Sequence, residues 1–553
     1  MAITDLHQTE IALEKTAAHH VEDTLGHGAI IEAKQASDEE HSQTLFQGLR
    51  ENRKAVGWSM LISLSIIMEG YDTILLGNFY GYPSFQEKYG QYYGPETGYQ
   101  VSAAWQSGLS MASTVGCIFG GIMNGYFASK FGYRGVMMVA LALLTCFIFI
   151  TVFANSATVL IVGQIFCGFA WGVFATVGPA YASEVCPTNL RGYLTTYVNC
   201  CWAIGQLIAS GVLDGLVNKT GQWSYRIPFA LQWIWPVPLI VICWFAPESP
   251  WYLVRKDRLE DAKRSLRRLA GAKTEDQING QLAMMVHTTK IEAEIEEGTT
   301  YLECFKGVDL RRTEICCCAF IGQIMAGSTF AYTPTYFFEQ AGMSISKSFQ
   351  LGVGCTSVGL VGTMLSWFLI THFGRRTLYV WGQGTLCTLL YLVGIISAAS
   401  STSNSGAMWA QAALCMVWLF VYSLTVGPVA YAVVSEISSV RLRTLTVCCA
   451  RTAYQIINVV SQVLEPYFMN PTAWNASGKT GFFWGTTALI AFIWSYFRLP
   501  EPKDRTYAEL DLLFATKVSA RKFSSTHVDA YAGVSASSRE GLVQEQVVEE
   551  VKE

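Results

Sequence analysis

Three ionisable side chains stand inside stretches that are otherwise nearly free of charge: Glu69, Asp72 and Arg451. Glu69 and Asp72 are three residues apart, so on a helix they share a face. Arg451 is followed by Gln455, Asn458 and Gln462 at steps of 4, 7 and 11, which draws a polar stripe along one side of a helix. A second such face carries Asn199, Trp202 and Gln206, at steps of 3 and 7. A charged group inside hydrocarbon costs about 2.5–3.5 kcal/mol on insertion scales, so each is a functional candidate by default. A carboxyl there can exchange a proton, a guanidinium can hold a carboxylate, and amides beside aromatic rings can bind a polyhydroxylated ligand. Two structural alternatives stand beside these: an ion pair that only fixes helix orientation, and amides that only bind helices together.

The apolar runs supply the elements that must hold these groups. Hydrophobic residues make up 51% of the 553 and charged residues only 14%, a balance that makes lipid the solvent. Apolar runs lie near 55–80, 102–127, 135–155, 158–182, 192–215 and 226–246, then near 312–338, 350–370, 377–399, 408–434, 442–465 and 480–498. Each is long enough for a helix to cross roughly 30 Å of hydrocarbon, and a helix satisfies its own backbone there. The expectation is an all-α polytopic membrane protein with twelve transmembrane helices. Two six-helix bundles, 55–246 and 312–498, flank a helical linker at 247–311, and polar tails occupy 1–54 and 499–553.

Loop charge gives the orientation. Arg50, Arg53 and Lys54 precede span 1; Lys130, Arg134, Arg191, Arg375, Arg376, Arg441, Arg443, Arg498, Lys503 and Arg505 follow even-numbered spans. The alternate loops are nearly empty of Lys and Arg, so both termini and the linker are expected in the cytoplasm. The two N-x-Ser/Thr acceptors, Asn218 and Asn475, then fall outside, where glycosylation is possible. The first fifty residues are polar and acidic, and no cleavable signal is expected. A net charge of −4, with no basic patch interleaved with aromatics, argues against a nucleic-acid partner. The run Cys316, Cys317, Cys318 points in three directions on a helix, so no metal site is expected and buried thiols are the reading. The sixteen cysteines lie in spans or on the cytoplasmic side, which argues against a disulfide framework. No nucleotide-binding or nucleophile motif supports an enzyme.

The halves echo each other in order. FGYR at 131–134 returns as FGRR at 373–376, SEVCPTNLRG at 183–192 as SEISSVRLRT at 435–444, and PESPW at 247–251 as LPEPK at 499–503. Ordered echoes imply two bundles related by a pseudo-twofold axis along the membrane normal, with a ligand site between them near the midplane.

The same landmarks resemble the sugar porter family of the major facilitator superfamily. SKFGYR and THFGRR match its D-x-x-G-R-R loops, with Ser129 and Thr371 in place of the acids. Glu184 with Arg191, and Glu436 with Arg443, match its E-x6-R elements; PESPW and GPVAY match two further strings, the latter with Tyr431 for Trp. EGYD (69–72), EVCP (184–187) and TYFFEQAG (335–342) resemble the fungal maltose and general α-glucoside permease branch.

The resemblance implies import of an α-glucoside by proton symport at the plasma membrane, through a monomeric functional unit in the lipid bilayer. It implies no cofactor beyond the proton as coupling ion. It implies sugar contacts at Asn199, Trp202, Gln206, Gln323, Tyr332, Tyr431, Gln455 and Asn458. Glu184, Arg191, Glu436 and Arg443 would form the cytoplasmic gate, their bland alternative being topogenic charge and helix capping. Many proton-linked relatives pair the span 1 acid with an Arg in span 4, where this chain has Gln164; the α-glucoside branch moves the cation to span 11, which makes Arg451 the partner of Glu69 and Asp72. Cys117 occupies the place of a further acid in that branch, and Gly322 that of one of two glutamines. Gly168 and Gly172 read as helix-packing positions. Alternative functions are a passive hexose facilitator, a non-transporting sugar sensor on the same fold, and an exporter, which would lack the ordered strings.

Overall fold

The computed structural model describes residues 45–526, apart from 96–97, 187, 272, 297–300, 332–333, 341, 401–404, 440–441, 504, 506–509 and 511–512. Twelve helical spans cross in sequence. Eight stretches among the described residues are long and apolar enough to traverse a membrane: Arg53–Phe79, Ala103–Val152, Ala157–Val185, Trp223–Phe245, Gly307–Phe330, Ile345–His372, Arg375–Ala399 and Gly406–Ile437. Ala103–Val152 contains spans 2 and 3, joined at a non-helical Gly132. Thr188–Leu216, Arg443–Met469 and Thr480–Arg498 are spans 5, 11 and 12. The sheet is a single two-stranded ribbon, Gln91–Tyr92 against Tyr99–Gln100, in the loop after span 1.

Small residues set the closeness of the packing. A Cβ on Gly168 would meet the carbonyl of Ser113, and one on Gly172 the carbonyl of Cys117, so spans 2 and 4 touch backbone to backbone. Gly70 and Gly205 do the same for spans 1 and 5, against Trp202 and Ile67. In lipid, helix association relies on such close contact because burial of apolar surface drives little of it.

The echoed strings meet in space. Gly132 holds φ 81°, a left-handed conformation that favours glycine, and a Cβ there would lie 2.5 Å from Glu248 Oε2. Glu248, from PESPW, accepts hydrogen bonds from the amides of Tyr133 at 3.1 Å and Arg134 at 3.2 Å, where span 3 begins. Glu501, from LPEPK, accepts from the amides of Arg375 at 2.8 Å and Arg376 at 3.1 Å, where span 9 begins. Each acid satisfies amides that a helix start leaves without partners and places negative charge at the positive end of the dipole. Burial pushes the Glu248 carboxyl up from the ordinary carboxylate range, against the amides of Ser249, Arg134 and Tyr133.

Span 7 departs from the unbroken helix expected at 312–338. It runs Gly307–Met325, breaks at Gly327 with φ 84°, forms one turn at Ser328–Ala331 and resumes as Pro334–Gln340. Glycine in the left-handed region and a proline without an amide hydrogen explain the interruption. Span 10 breaks likewise at Thr425, between Ser405–Leu424 and Val426–Ile437.

Candidate functional site

Asp72 sits on span 1, 5% exposed. Its Oδ1 accepts from Gln232 Nε2 at 2.9 Å and its Oδ2 from the Trp171 indole at 3.2 Å. Both donors belong to the first bundle, on spans 6 and 4. Gln164, wholly buried on span 4, holds the position expected of an arginine in other sugar porters. The Asp72 carboxyl is thus solvated by neutral donors, each neutral bond to a charged group being worth about 1.5–3 kcal/mol.

Arg451 lies in a different environment. Its Nη1 donates to the Tyr431 hydroxyl at 3.2 Å, and its guanidinium lies 5.4 Å and 5.3 Å from the rings of Phe320 and Tyr431. Phe320 meets both Tyr431 and Tyr454 edge-on, so the two rings beside the cation, from spans 7 and 10, are joined to a third on span 11. Among the described residues Arg451 makes no ion pair; Glu69, on span 1 of the other bundle, and the Cys117 thiol are near enough to act on it through their charge alone. Glu69 rather than Asp72 is thus within electrostatic reach of Arg451, without a direct ion pair, and Asp72 stays in a separate cage.

The amides expected on the ligand fall as follows. Gln206 and Gln323 are buried, and Asn199, Trp202, Gln455 and Asn458 are partly covered. Gln206 Nε2 and Gln455 Oε1 are buried with no hydrogen-bond partner; buried polar atoms of this kind are normally paired, and a bound ligand is one way to pair them. Gln323 Nε2 donates to the Gly427 carbonyl at 3.2 Å, at the break beside span 10. Tyr431 is 45% exposed despite its mid-span position, so it borders open space. Tyr332 lies outside the described residues.

At the basic-loop end, Glu184 accepts from the Tyr133 hydroxyl at 2.9 Å, from Arg255 at 2.5 Å and from the Ser249 hydroxyl. Glu436 accepts from Arg375 Nε and Nη2 at 3.0 and 2.9 Å. Neither of these ion pairs joins the two bundles: Glu184 is tied to the linker and Glu436 to span 9 of its own half. The side chains of Arg191 and Arg443 lie outside the described residues. Arg255, at the end of the linker helix Pro250–Arg255, was not among the expected gate residues; no motif singles it out.

The opposite end is sealed between the halves. Ser107 donates to the Val463 carbonyl at 3.0 Å, Asn470 to the Val101 carbonyl at 2.7 Å, and Gln106 to the Tyr336 hydroxyl at 3.3 Å. Tyr82 meets Phe349 edge-on at 5.5 Å. Asn218 and Asn475 are exposed at this same end, Asn475 with φ 48°.

Sequence reasoning missed Trp171, Gln232, Phe320 and Tyr454, whose types are those of ordinary core residues. It also missed Glu465, which continues the Arg451 stripe fourteen residues on and was legible by that spacing.

Comparison with known proteins agrees with this arrangement. Residues 58–514 match the family described as Sugar (and other) transporter. The chain is 40% identical to maltose permease MAL31 of Saccharomyces cerevisiae, over 93% of this chain and 84% of the permease. It is 40% identical to the general alpha-glucoside permease of the same yeast, over 90% of this chain and 82% of that one. Among solved structures it resembles the proton:xylose symporter XylE bound to 6-bromo-6-deoxy-D-glucose, with a TM-score of 0.67 at 20% identity, covering 84% of this chain and all of the other. A partially occluded inward-open form of XylE from E. coli gives a TM-score of 0.64 at 17% identity, covering 82% of this chain and all of that one. These structural likenesses are of fold.

Proposed function

This chain belongs to the sugar transporter family, and on that premise we propose that it is a secondary active carrier importing an α-glucoside together with a proton. The observation that carries the sugar class is the 40% identity to maltose and α-glucoside permeases across nearly the whole chain. The proton is supported by Glu69, an acid within a membrane span that lies within electrostatic reach of the cation Arg451 on the other bundle.

Charge neutralisation gives the coupling. In the empty carrier an ionised Glu69 attracts Arg451 and holds the two bundles in one relation. Protonation removes the charge on Glu69, leaves Arg451 to its aromatic enclosure and the Tyr431 hydroxyl, and frees the bundles to rock. Asp72 keeps its donors on spans 4 and 6 throughout, which fixes the face that Glu69 presents. Gln206 and Gln455 supply free hydrogen-bonding atoms from opposite bundles, suited to the hydroxyls of one sugar. The seal that must open consists of the three neutral hydrogen bonds described above, worth about 0.5–1.5 kcal/mol each. Differential binding of sugar and proton to the two states can shift an equilibrium of that size.

The basic-loop end faces the cytoplasm and the sealed end faces outside in this reading, with the carrier multi-pass in the plasma membrane and complete as a monomer. Transporter-null cells expressing the full chain, offered labelled maltose, trehalose, sucrose and glucose with and without a protonophore, test it. Accumulation of an α-glucoside that collapses with the protonophore is expected. Uptake of glucose alone, or accumulation indifferent to the protonophore, overturns it.

A further inference from the structure

Glu465 lies near the outer end of span 11 and is 4% exposed. Its Oε2 accepts from the Trp484 indole at 2.7 Å, while its Oε1 is buried with no hydrogen-bond partner. Among the described residues no charged group forms an ion pair with it. Arg451 on the same helix is fourteen residues away, about 21 Å at 1.5 Å per residue. On spans 7 and 12, Arg311, Arg312, Glu314, Cys316, Cys317, Cys318 and Arg498 lie toward the cytoplasmic end, while Tyr467 on span 11 packs on Trp474. Among the described residues the Trp484 indole is the one hydrogen-bond donor to the carboxyl. A buried ionised carboxylate with one neutral donor is costly to keep.

The surroundings belong to the outer gate. Trp484 packs on Gly327, where a Cβ would lie 3.2 Å from the Trp484 Cβ. Gly327 is the break in span 7. One helical turn before Glu465, Ser461 bonds to Thr329, just past that break. The segment beyond, Pro334–Gln340, carries Tyr336 onto Gln106 and Glu339 onto Gly81, just past the end of span 1. Val463 and Asn470, which make the seal with span 2 and the loop before it, bracket Glu465 in sequence. A pivot of the outer half of span 7 about Gly327 would therefore act on Trp484, the side chain that bonds to Glu465, and on Thr329, which bonds to Ser461 one turn before it.

We propose that Glu465 is a proton-binding site of the outer gate: its carboxyl takes a proton from external water when the gate is open, and only the neutral form is sealed in. The step is association alone, carboxylate plus proton giving carboxylic acid, reversed when the gate reopens. In the outside-closed form described here the carboxyl is enclosed, so its proton returns to the side from which it came. It gates transport without being transported, and is distinct from the proton on Glu69.

The inference rests on the transporter reading, and the test separates the two. Initial sugar uptake by the full chain is measured against external pH, along with protons entering per sugar, for wild type, Glu465→Gln and Trp484→Phe at matched surface levels. Gln is the shape of the neutral acid, so the alkaline decline of uptake should become shallower, keeping only the part that Glu69 imposes, with at least a threefold gain over wild type at the alkaline end and unchanged protons per sugar. Trp484→Phe, which keeps the acid and removes the donor favouring its ionised form, should move the alkaline decline to higher pH. If Glu465→Gln reproduces the wild-type profile, or lowers protons per sugar, the proposal is overturned. If Glu465→Gln does not reach the surface, Trp484→Phe decides by the same shift. A wild type that moves no sugar sinks the transporter reading instead.

Discussion

Asp72 and Arg451 do not pair: both oxygens of Asp72 accept from Gln232 and Trp171 within the first bundle, while Arg451 bonds to Tyr431 in the second. Two acids one helical turn apart thus have unequal access to the same cation. Glu69 can gain or lose Arg451 as the bundles rock, whereas Asp72 carries its own donors with it.

Replacing both acids, Glu69→Gln with Asp72→Asn, should abolish uphill accumulation, the inside-to-outside ratio falling to one, while downhill entry or sugar exchange persists. The single change Glu69→Gln should reproduce most of this loss and Asp72→Asn less. Labelled-sugar accumulation with and without a protonophore measures it; a double mutant that still concentrates sugar against a protonophore-sensitive gradient refutes the assignment.

Arg451→Leu should loosen coupling rather than stop entry, because no cation then penalises the unprotonated carrier. Protons entering per sugar should fall below the wild-type ratio in an external pH-electrode assay. An unchanged ratio counts against a role for Arg451.

Gln206→Ala and Gln455→Ala each remove a group with an unsatisfied buried atom. Loss of one neutral hydrogen bond to ligand is worth about 0.5–1.5 kcal/mol, or about two- to tenfold in affinity. Half-saturation for the best sugar should rise by that factor with surface expression intact. Unchanged kinetics in both would move the ligand elsewhere.

Gly132→Val should lower the amount of folded protein at the surface, since a branched side chain combines an unfavourable left-handed backbone with a clash at Glu248. Gly125→Val, with nothing within 4 Å of its Cβ position, is the control. Thermal unfolding of the detergent-solubilised proteins would compare them, and equal stability would contradict this account.

Orientation can be checked separately. An epitope inserted near residue 280, in the linker helix Glu275–Glu296, should be reachable only after permeabilisation. Labelling in intact cells would invert the topology.

The spans and the halves were legible because lipid imposes long apolar runs and because FGYR, SEVCP and PESPW each return once in order. Glu69 and Arg451 were legible as charges where charge is expensive. Their partners were not: Trp171, Phe320 and Tyr454 are apolar bodies whose position depends on packing between distant spans. The break in span 7 was half visible, as Gly327 and Pro334, but hydropathy averages over such interruptions. Glu465 was overlooked because the stripe was followed only as far as Gln462.

The acids of PESPW and LPEPK have a bearing on how the chain is made. Glu248 follows the sixth span and Glu501 the twelfth, and each reaches back to the start of the third helix in its own half. The first six helices therefore acquire their fastening while the ribosome is still producing the linker, before any helix of the second half exists to compete. The second half can be fastened only after Glu501, which follows its sixth helix, has been made. Biogenesis of this carrier then proceeds as two successive assemblies, and a lesion at Glu501 would be met by quality control later than one at Glu248.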